Sequence, residues 1–350
     1  MRKEYKKNIL IFTVVFCLLF SFLLIEENRK GREVSVESVS EDLLIPGGMP
    51  VGIYMETNGV MVLGTDTIQS ADGMNYEPAD HLIKSGDYIL KINQIPVENK
   101  KNLMEELKNI TKEDVVLTIK REKEIIDVKI HPVRCKGDTY KLGIWVRDNT
   151  QGLGTVTFLD KNSNYGALGH GVHDINTNKL LEMKDGRIYN TSILDIKKGI
   201  AGLPGGMEGI IVYNRYNLLG TITKNTQEGI FGHLDHIDRL FSDQAPIEIA
   251  KKEEIKKGDA KIRCTVDGKI REYDIYIKRI DLLSKEVNKG IVLEVTDQEL
   301  IEKTGGIVQG MSGSPILQDG KMVGAVTHVL VNDPTRGYGI FIENMLEEAE

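Results

Sequence analysis

From residue 134 onward, short runs rich in Val and Ile recur at intervals of about 8–12 residues, separated by turns rich in Gly and Asp. Gly154–Leu159, Ile262–Val266 and Lys321–Thr327 are three of these runs. The chain has 35 glycines against 9 prolines, which suits strands joined by tight turns. Helical periodicity is sparse before Asp297–Lys303. The pattern therefore predicts a β-barrel or β-sandwich for this region.

A serine flanked by glycines lies within this β-rich region, in the run GIVQGMSGSP at 306–315. Gly310 and Gly313 have no Cβ, so the backbone there can adopt strained dihedral angles close to a substrate carbonyl. Such a turn exposes the hydroxyl of Ser312 and directs backbone N–H groups at the same point, as a serine nucleophile requires. Without a base nearby, the same residues describe an ordinary hairpin between two strands. Both interpretations stay open from this run alone.

A serine nucleophile needs a base, and the chain contains 7 histidines. His170 lies between glycines in a bend of small residues, where its imidazole would be accessible, although a turn histidine is commonly a surface residue. His328 follows a buried-looking strand and is expected to be a packed histidine. The spacing of His170 with His173, and of His233 with His236, suits zinc in principle. Neither pair lies on a clearly amphipathic helix, and we expect no metal and no cofactor.

The group that would orient the base is open to several assignments. Asp297 lies where a helix is expected to begin, and Thr296 with Glu299 forms a capping box around it. An acid at that position also suits the helix dipole. The sequence alone leaves both a capping role and a catalytic role open for Asp297. The acidic candidates are Asp174, Asp195, Asp235, Asp238 and Asp297.

The N-terminal region has a different character. Residues 9–25 are almost continuously apolar and would span about 26 Å as a helix, just enough for a bilayer core. The basic residues before them predict a cytoplasmic tip, so residues 1–28 are expected to be a signal-anchor transmembrane helix and 29–45 a linker. A cleaved signal peptide is the alternative, but no small-residue cleavage site follows. The net charge of −7 argues against a nucleic-acid partner.

Residues 46–133 resemble a PDZ domain of the kind that accompanies bacterial proteases. The resemblance rests on the turn Ser85-Gly86-Asp87, the strand pieces that follow and a helix over Asn99–Asn109. It implies that Val51, Gly52 and Ile53 offer backbone N–H groups to the C-terminus of a peptide that adds as a strand. A small α+β domain that binds no peptide is the alternative. Cys135 and Cys264 form the one disulfide pair available outside the apolar run, and nothing requires it.

Residues 134–350 resemble the SpoIVB peptidases of endospore-forming bacteria. The motifs are ALGHGV, VTDQELIEKTGGIVQGMSGSPI and GAVTHVLVNDPTRGYGIFIENML. The resemblance implies a nucleophile at Ser312, a base at His170 and an acid at Asp297, with an oxyanion hole formed by the N–H groups of Gly310 and Ser312. Ser314 is the alternative nucleophile. The implied fold class is mostly β, with an N-terminal transmembrane helix, an α+β PDZ domain and a chymotrypsin-like double β-barrel serine protease domain.

The same resemblance implies a serine endopeptidase of sporulation that acts in signalling. It would cleave itself and a membrane-bound inhibitor of an intramembrane metalloprotease, and so trigger processing of a sigma-factor precursor in the mother cell. Its protease domain would be extracytoplasmic, on the forespore membrane and facing the intermembrane space, and released by self-cleavage. The alternative is a non-catalytic, membrane-anchored PDZ adaptor whose barrel is a pseudoprotease.

Overall fold

The computed structural model describes residues 43–241 and 244–349, and strands dominate them. The first twelve strands are β1 (Leu43–Pro46), β2 (Pro50–Thr65), β3 (Ile68–Gln69), β4 (Asn75–Tyr76), β5 (Tyr88–Ile92), β6 (Ile95–Pro96), β7 (Val115–Arg121), β8 (Glu124–Ile130), β9 (Val133–Cys135), β10 (Thr139–Lys141), β11 (Ile144–Leu159) and β12 (Asn164–Ala167).

The remaining eleven strands of the described chain belong to the region that contains the serine motif. They are β13 (Met183–Lys197), β14 (Gly206–Ile211), β15 (Leu218–Thr226), β16 (Gly229–Leu234), β17 (Ile247–Glu248), β18 (Gly258–Thr265), β19 (Ile270–Ile280), β20 (Ile291–Val295), β21 (Pro315–Gln318), β22 (Lys321–Leu330) and β23 (Asp333–Phe341). The α-helices are α1 (Lys100–Leu107), α2 (Asp238–Phe241), α3 (Gln298–Thr304) and α4 (Ile342–Ala349).

Six strands pair in a closed ring that forms the first half of the protease region. The pairings run β11–β12–β16–β15–β13–β2, and β2 pairs back onto β11. Alternate side chains of each strand point inward, as the period of two requires, and they form one apolar core. Its most buried members include Val51, Ile53, Val156, Tyr165, Ile188, Leu219 and Ile230.

A second barrel closes in the order β18–β19–β20–β23–β22–β21. Its interior is filled by Ile262, Tyr273, Ile275, Leu293, Ile316 and Val326, all of which are buried. A smaller cluster links it to the first ring, where Phe158 and Phe231 meet Met322 and Ile340. The C-terminal helix α4 packs against strands of both units through Met345. The two halves of the protease region therefore share a continuous apolar contact.

The N-terminal part is joined to the first ring through β2, which is 16 residues long. The first half of β2 pairs with β13 inside the ring, and its second half pairs with β5, which continues to β7 and β8. The helix α1 covers this end of the sheet with Leu103, in a core with Val60, Ile89 and Leu117. The hydrogen-bonded sheet is therefore uninterrupted across the expected boundary between residues 133 and 134.

The predicted fold class is wrong. It included a transmembrane helix, but within residues 43–241 and 244–349 no helix is both long and apolar enough to cross a bilayer. The predicted span at 1–28 and most of the predicted linker at 29–45 lie outside the described residues. The PDZ-like region at 46–133 shares β2 with the first ring. Cys135 and Cys264 are both buried and unbonded to each other.

Candidate active site

The serine turn lies between α3 and β21 and is fastened to the first ring by a pair of threonines. The hydroxyl of Thr155 donates to the Gly310 carbonyl at 2.7 Å, and the Thr155 N–H donates to the Ser312 carbonyl at 3.0 Å. The hydroxyl of Thr157 donates to the Gly313 carbonyl at 2.8 Å. These bonds cross from one half of the protease region to the other and fix the turn at their junction.

The glycines of this turn have the backbone that the sequence predicts. Gly310 has φ +103° and Gly313 has φ +97°, values that side chains rarely tolerate. A Cβ on Gly313 would lie 2.1 Å from the Thr155 carbonyl oxygen and 2.5 Å from the Leu168 nitrogen. The backbone of the turn therefore packs directly on the backbone of Thr155 and Leu168, and this close contact requires a glycine at 313.

The Ser312 hydroxyl is half-buried and donates a 2.7 Å hydrogen bond to the Thr327 carbonyl on β22. Ser314, the alternative nucleophile, is fully buried, and its hydroxyl has no partner within the described chain. A buried hydroxyl cannot attack a polypeptide that approaches from solvent. Of the two serines, Ser312 is therefore the one placed for chemistry.

His170 follows β12 through a bend in which Leu168 and Gly169 both have positive φ, +70° and +67°. A Cβ on Gly169 would lie 3.0 Å from the Thr327 methyl group, so the bend packs directly on β22. The His170 ring lies over the His328 ring, with centroids 4.9 Å apart and planes tilted by 36°. Ser312 and His170 therefore contact adjacent residues of β22, Ser312 the Thr327 carbonyl and His170 the His328 ring.

The ring of His170 is oriented by the backbone. Its Nδ1 lies 2.9 Å from the Gly171 carbonyl, which can only accept, so Nδ1 carries the proton and Nε2 is left as the acceptor. Burial lowers the pKa of His170, although the bond to Gly171 opposes this effect. Burial also lowers the pKa of His328, to about 4, and His170 contributes to that shift. Both imidazoles are therefore neutral at neutral pH, and His170 is in the form that accepts a proton.

The structure does not bring Asp297 to His170. The Asp297 carboxylate caps α3, where it accepts from the Leu300 N–H at 3.0 Å, and it also accepts from the Asp274 N–H at 3.3 Å. Asp174 is nearer to His170 in sequence, but it is buried in an ion pair with Arg147 and accepts from its own loop. No carboxylate of the described residues forms a hydrogen bond or ion pair with the His170 ring.

The predicted oxyanion donors are free. The N–H groups of Gly310 and Ser312 donate to no acceptor in the described part of the chain. The neighbouring N–H groups are occupied, because Met311 donates to Val308 and Gly313 donates to Val326. The turn thus leaves unpaired the two donors that an oxyanion would use.

The prediction that Val51, Gly52 and Ile53 form a peptide-binding loop is wrong. All three lie inside β2 and are paired on both sides, for example Gly52 with Leu153 of β11 and with Tyr189 of β13. Val51 and Ile53 are buried in the first ring. Their backbone groups are therefore already used in the sheet.

A large cavity lies elsewhere, in the N-terminal part. It has a volume of about 920 Å³ and lies between α1 and the start of β11, with Leu103, Leu107 and Trp145 in its lining. The serine motif lies between the two barrels and does not line this cavity. In the described residues, no group of three or more His, Cys, Asp or Glu side chains is placed to hold a metal ion.

The sequence analysis did not identify the groups that position Ser312 and His170. Thr155 and Thr157 had a signal, because two threonines at i and i+2 of an apolar strand share a face that is otherwise expected to be apolar. The carbonyls of Gly171 and Thr327 had none, since every residue carries a carbonyl.

Comparison with known proteins assigns the chain to a family. The family model described as SpoIVB peptidase S55 matches residues 138–346, which is more than half of the chain. No curated protein matches the chain significantly.

Solved structures show weak similarity. The active form of the Rv3671c protease from M. tuberculosis is 12% identical, with 57% of this chain and 74% of that chain covered and a TM-score of 0.32. An inactive mutant form of the same protease is 10% identical, with 57% and 81% covered and a TM-score of 0.29. The PDZ domain of the SdrC-like protein from Listeria monocytogenes is 19% identical, with 25% and 87% covered and a TM-score of 0.21. The family match confirms the resemblance read from the motifs, and the chain belongs to the SpoIVB peptidase S55 family of serine peptidases.

Proposed function

We propose that the chain is a serine endopeptidase in which Ser312 is the nucleophile and His170 the base. The observation that carries this proposal is that Ser312 and His170 contact the adjacent residues Thr327 and His328 of β22, beside two unpaired N–H groups. An ordinary hairpin beside a packed histidine would not need unpaired N–H groups at Gly310 and Ser312 next to a half-buried hydroxyl.

The chemistry begins with a change of partner. The Ser312 proton, now directed at the Thr327 carbonyl, must turn toward Nε2 of His170. His170 takes this proton as Oγ attacks the peptide carbonyl, and the developing oxyanion binds the N–H groups of Gly310 and Ser312. The imidazolium then gives its proton to the leaving amine, which leaves an acyl-enzyme. Water, activated by the same imidazole, hydrolyses this ester and restores Ser312.

We propose that the Gly171 carbonyl takes the orienting role for which the family resemblance implies Asp297. A carbonyl that accepts from Nδ1 fixes the tautomer as a carboxylate would, although it gives the imidazolium less electrostatic stabilisation. The contacts of Asp297 support a structural role at the start of α3.

The family further supports a role in sporulation signalling. In this proposal the protein cleaves itself and a membrane-bound inhibitor of an intramembrane metalloprotease, outside the cytoplasm, and so triggers processing of a sigma-factor precursor. The N-terminal PDZ-like part would regulate self-cleavage and recognition of the target.

Self-cleavage of the purified full chain tests the proposal. We expect Ser312→Ala to abolish self-cleavage and cleavage of a second copy, a loss of several orders of magnitude, at least ~10³-fold. Ser314→Ala is the matched control, since it removes a hydroxyl two positions away that faces the interior, and it should cleave normally. Undiminished cleavage by Ser312→Ala would refute Ser312 as the nucleophile. A wild type that cleaves neither itself nor a second copy would instead favour the non-catalytic adaptor.

A further inference from the structure

We propose that the turn at 199–206, between β13 and β14, forms an apolar lip that selects substrates by a bulky apolar side chain upstream of the cleaved bond. The lip is defined by Ile200, Leu203 and Val331. This inference rests on the proposed function, because it describes how the substrate of that same site would be recognised.

The turn at 199–206 is bound to the segment that carries the nucleophile. The Gly199 N–H donates to the Thr304 carbonyl at 2.8 Å. The Gln309 N–H donates to the Gly205 carbonyl at 2.9 Å, and the Met207 N–H donates back to the Gln309 carbonyl at 2.8 Å. These bonds hold the turn along the residues that lead into the oxyanion donor Gly310.

Glycines allow this contact to be made between two backbones. A Cβ on Gly305 would lie 2.2 Å from the Gly199 carbonyl oxygen. Within the turn, Ile200 and Leu203 exchange a pair of backbone hydrogen bonds of 3.0 and 2.9 Å. The turn is therefore fixed in position, and whatever its side chains present to solvent is presented rigidly.

The side chains that it presents are apolar. Ile200 is 61% exposed and Leu203 is 63% exposed. Val331, at the turn between β22 and β23, is 50% exposed, and its carbonyl accepts from the Gly202 N–H at 2.9 Å. Apolar side chains held in solvent gain free energy when a partner covers them, so the lip suits an apolar occupant.

A free strand edge connects the lip to the nucleophile. The pairing of β21 with β22 ends at Pro315 and Ala325, and the serine turn then bonds Val326. Beyond Val326, no strand of the described chain covers that edge of β22. The Thr327 carbonyl faces this edge and holds the Ser312 hydroxyl, whereas the Val331 carbonyl holds the turn. An extended substrate would add as a strand between these two points, as peptides do at exposed sheet edges.

The distance from Thr327 to Val331 determines which substrate residue contacts the lip. Val331 follows Thr327 by four residues, just past the end of β22 and across two register shifts, so the two lie at most about 13 Å apart along the strand. A substrate strand that runs antiparallel to β22, with its cleaved bond at Ser312, has its upstream residues directed toward Val331. The residue about four positions before the cleaved bond would then contact Ile200 and Leu203.

Cleavage of a random peptide library by the purified full chain tests this inference. We expect the wild type to favour Leu, Ile, Val or Phe about four residues upstream of the cut. In Ile200→Ser/Leu203→Ser, kcat/KM for such peptides should fall about tenfold or more, mainly through KM. Ile125→Ser is the control, because Ile125 is 70% exposed on β8, at the far end of the sheet.

The reaction of Ser312 with a small fluorophosphonate separates the possible failures. The double variant should react with it at the wild-type rate, which shows that the fold and the catalytic pair are intact. Equal preferences in wild type and double variant, with normal cleavage by both, would overturn the lip alone. A wild type that neither cleaves peptides nor reacts with the fluorophosphonate would overturn the proposed function, and the lip with it.

Discussion

At the scale of single residues, the site depends on two neutral imidazoles in contact. His170 is kept neutral mainly by burial, and the His328 ring over it is held neutral in the same way. A base whose pKa lies below its usual range keeps its lone pair in mildly acidic solution. The peptidase is therefore expected to retain activity below pH 6.5, where an ordinary histidine base becomes protonated.

The half-buried His328 also predicts how stability depends on pH. Its pKa is about 4 in the folded protein and about 6.5 in the unfolded chain, so between these values the unfolded chain binds more protons. The free energy of unfolding should therefore fall as the pH falls from about 6.5 to about 4. In His328→Phe, which keeps a ring over His170, the fall should be smaller.

Urea unfolding of the wild type and of His328→Phe, measured at several pH values across this range, checks the prediction. Part of the slope should persist in the variant, since the pKa of His170 is lowered as well. Identical slopes in the two proteins would show that His328 takes up its proton equally in the folded and unfolded states.

At the scale of elements, α3 shows what the sequence could and could not decide. The helix was expected at Asp297–Lys303 and lies at Gln298–Thr304, because the capping signal and the C-terminal Gly305, with φ +77°, are local. The catalytic role expected of Asp297 depends on a distance to His170, which no local pattern encodes. The carbonyl that holds His170 could not be predicted either, since backbone groups carry no sequence signature.

The same distinction explains the error at Val51–Ile53. The local sequence, a turn followed by a short apolar run, is typical of extended backbone, and β2 does begin at Pro50. Pairing with the distant strands β11 and β13 places these residues inside the ring. Motifs locate the residues of a site well, whereas the strand partners that decide which backbone groups stay free are set by the whole sheet.

Substitution of Asp297 separates its two roles. Asp297→Ala should lower the free energy of unfolding by about 1 kcal/mol through loss of the cap, with kcat/KM of the folded protein close to that of the wild type. Asp297→Ser keeps a capping oxygen but cannot serve as a triad acid, and it should match the wild type in both stability and activity. A loss of kcat on the order of 10⁴-fold in the Ser variant would instead assign the catalytic acid to Asp297.

At the scale of the whole molecule, the N-terminal part and the first ring of the protease region form one sheet. β2 contributes to both, and ion pairs such as Lys184 with Glu98 and Lys179 with Glu122 join the two parts across their surface. Elements that share a strand lose their pairing together. The N-terminal part is therefore expected to unfold with the first ring and not as an independent domain.

The single tryptophan of the chain, Trp145, reports on this coupling. It lies at the start of β11, and its indole N–H donates to Asp66 in the N-terminal part at 3.0 Å. We expect its fluorescence and the far-UV circular dichroism, which is dominated by the two barrels, to change at the same urea concentration. A tryptophan transition well before the circular dichroism transition would show that the N-terminal part unfolds by itself.

The central claim is that Ser312 is a nucleophile activated by His170, and the site of covalent modification by a small fluorophosphonate tests it most directly. The account predicts one adduct in the intact chain, located on Ser312 by mass spectrometry, formed at a rate that His170→Ala lowers at least ~10³-fold. An adduct on another residue, no adduct at all, or an unchanged rate in His170→Ala would contradict it.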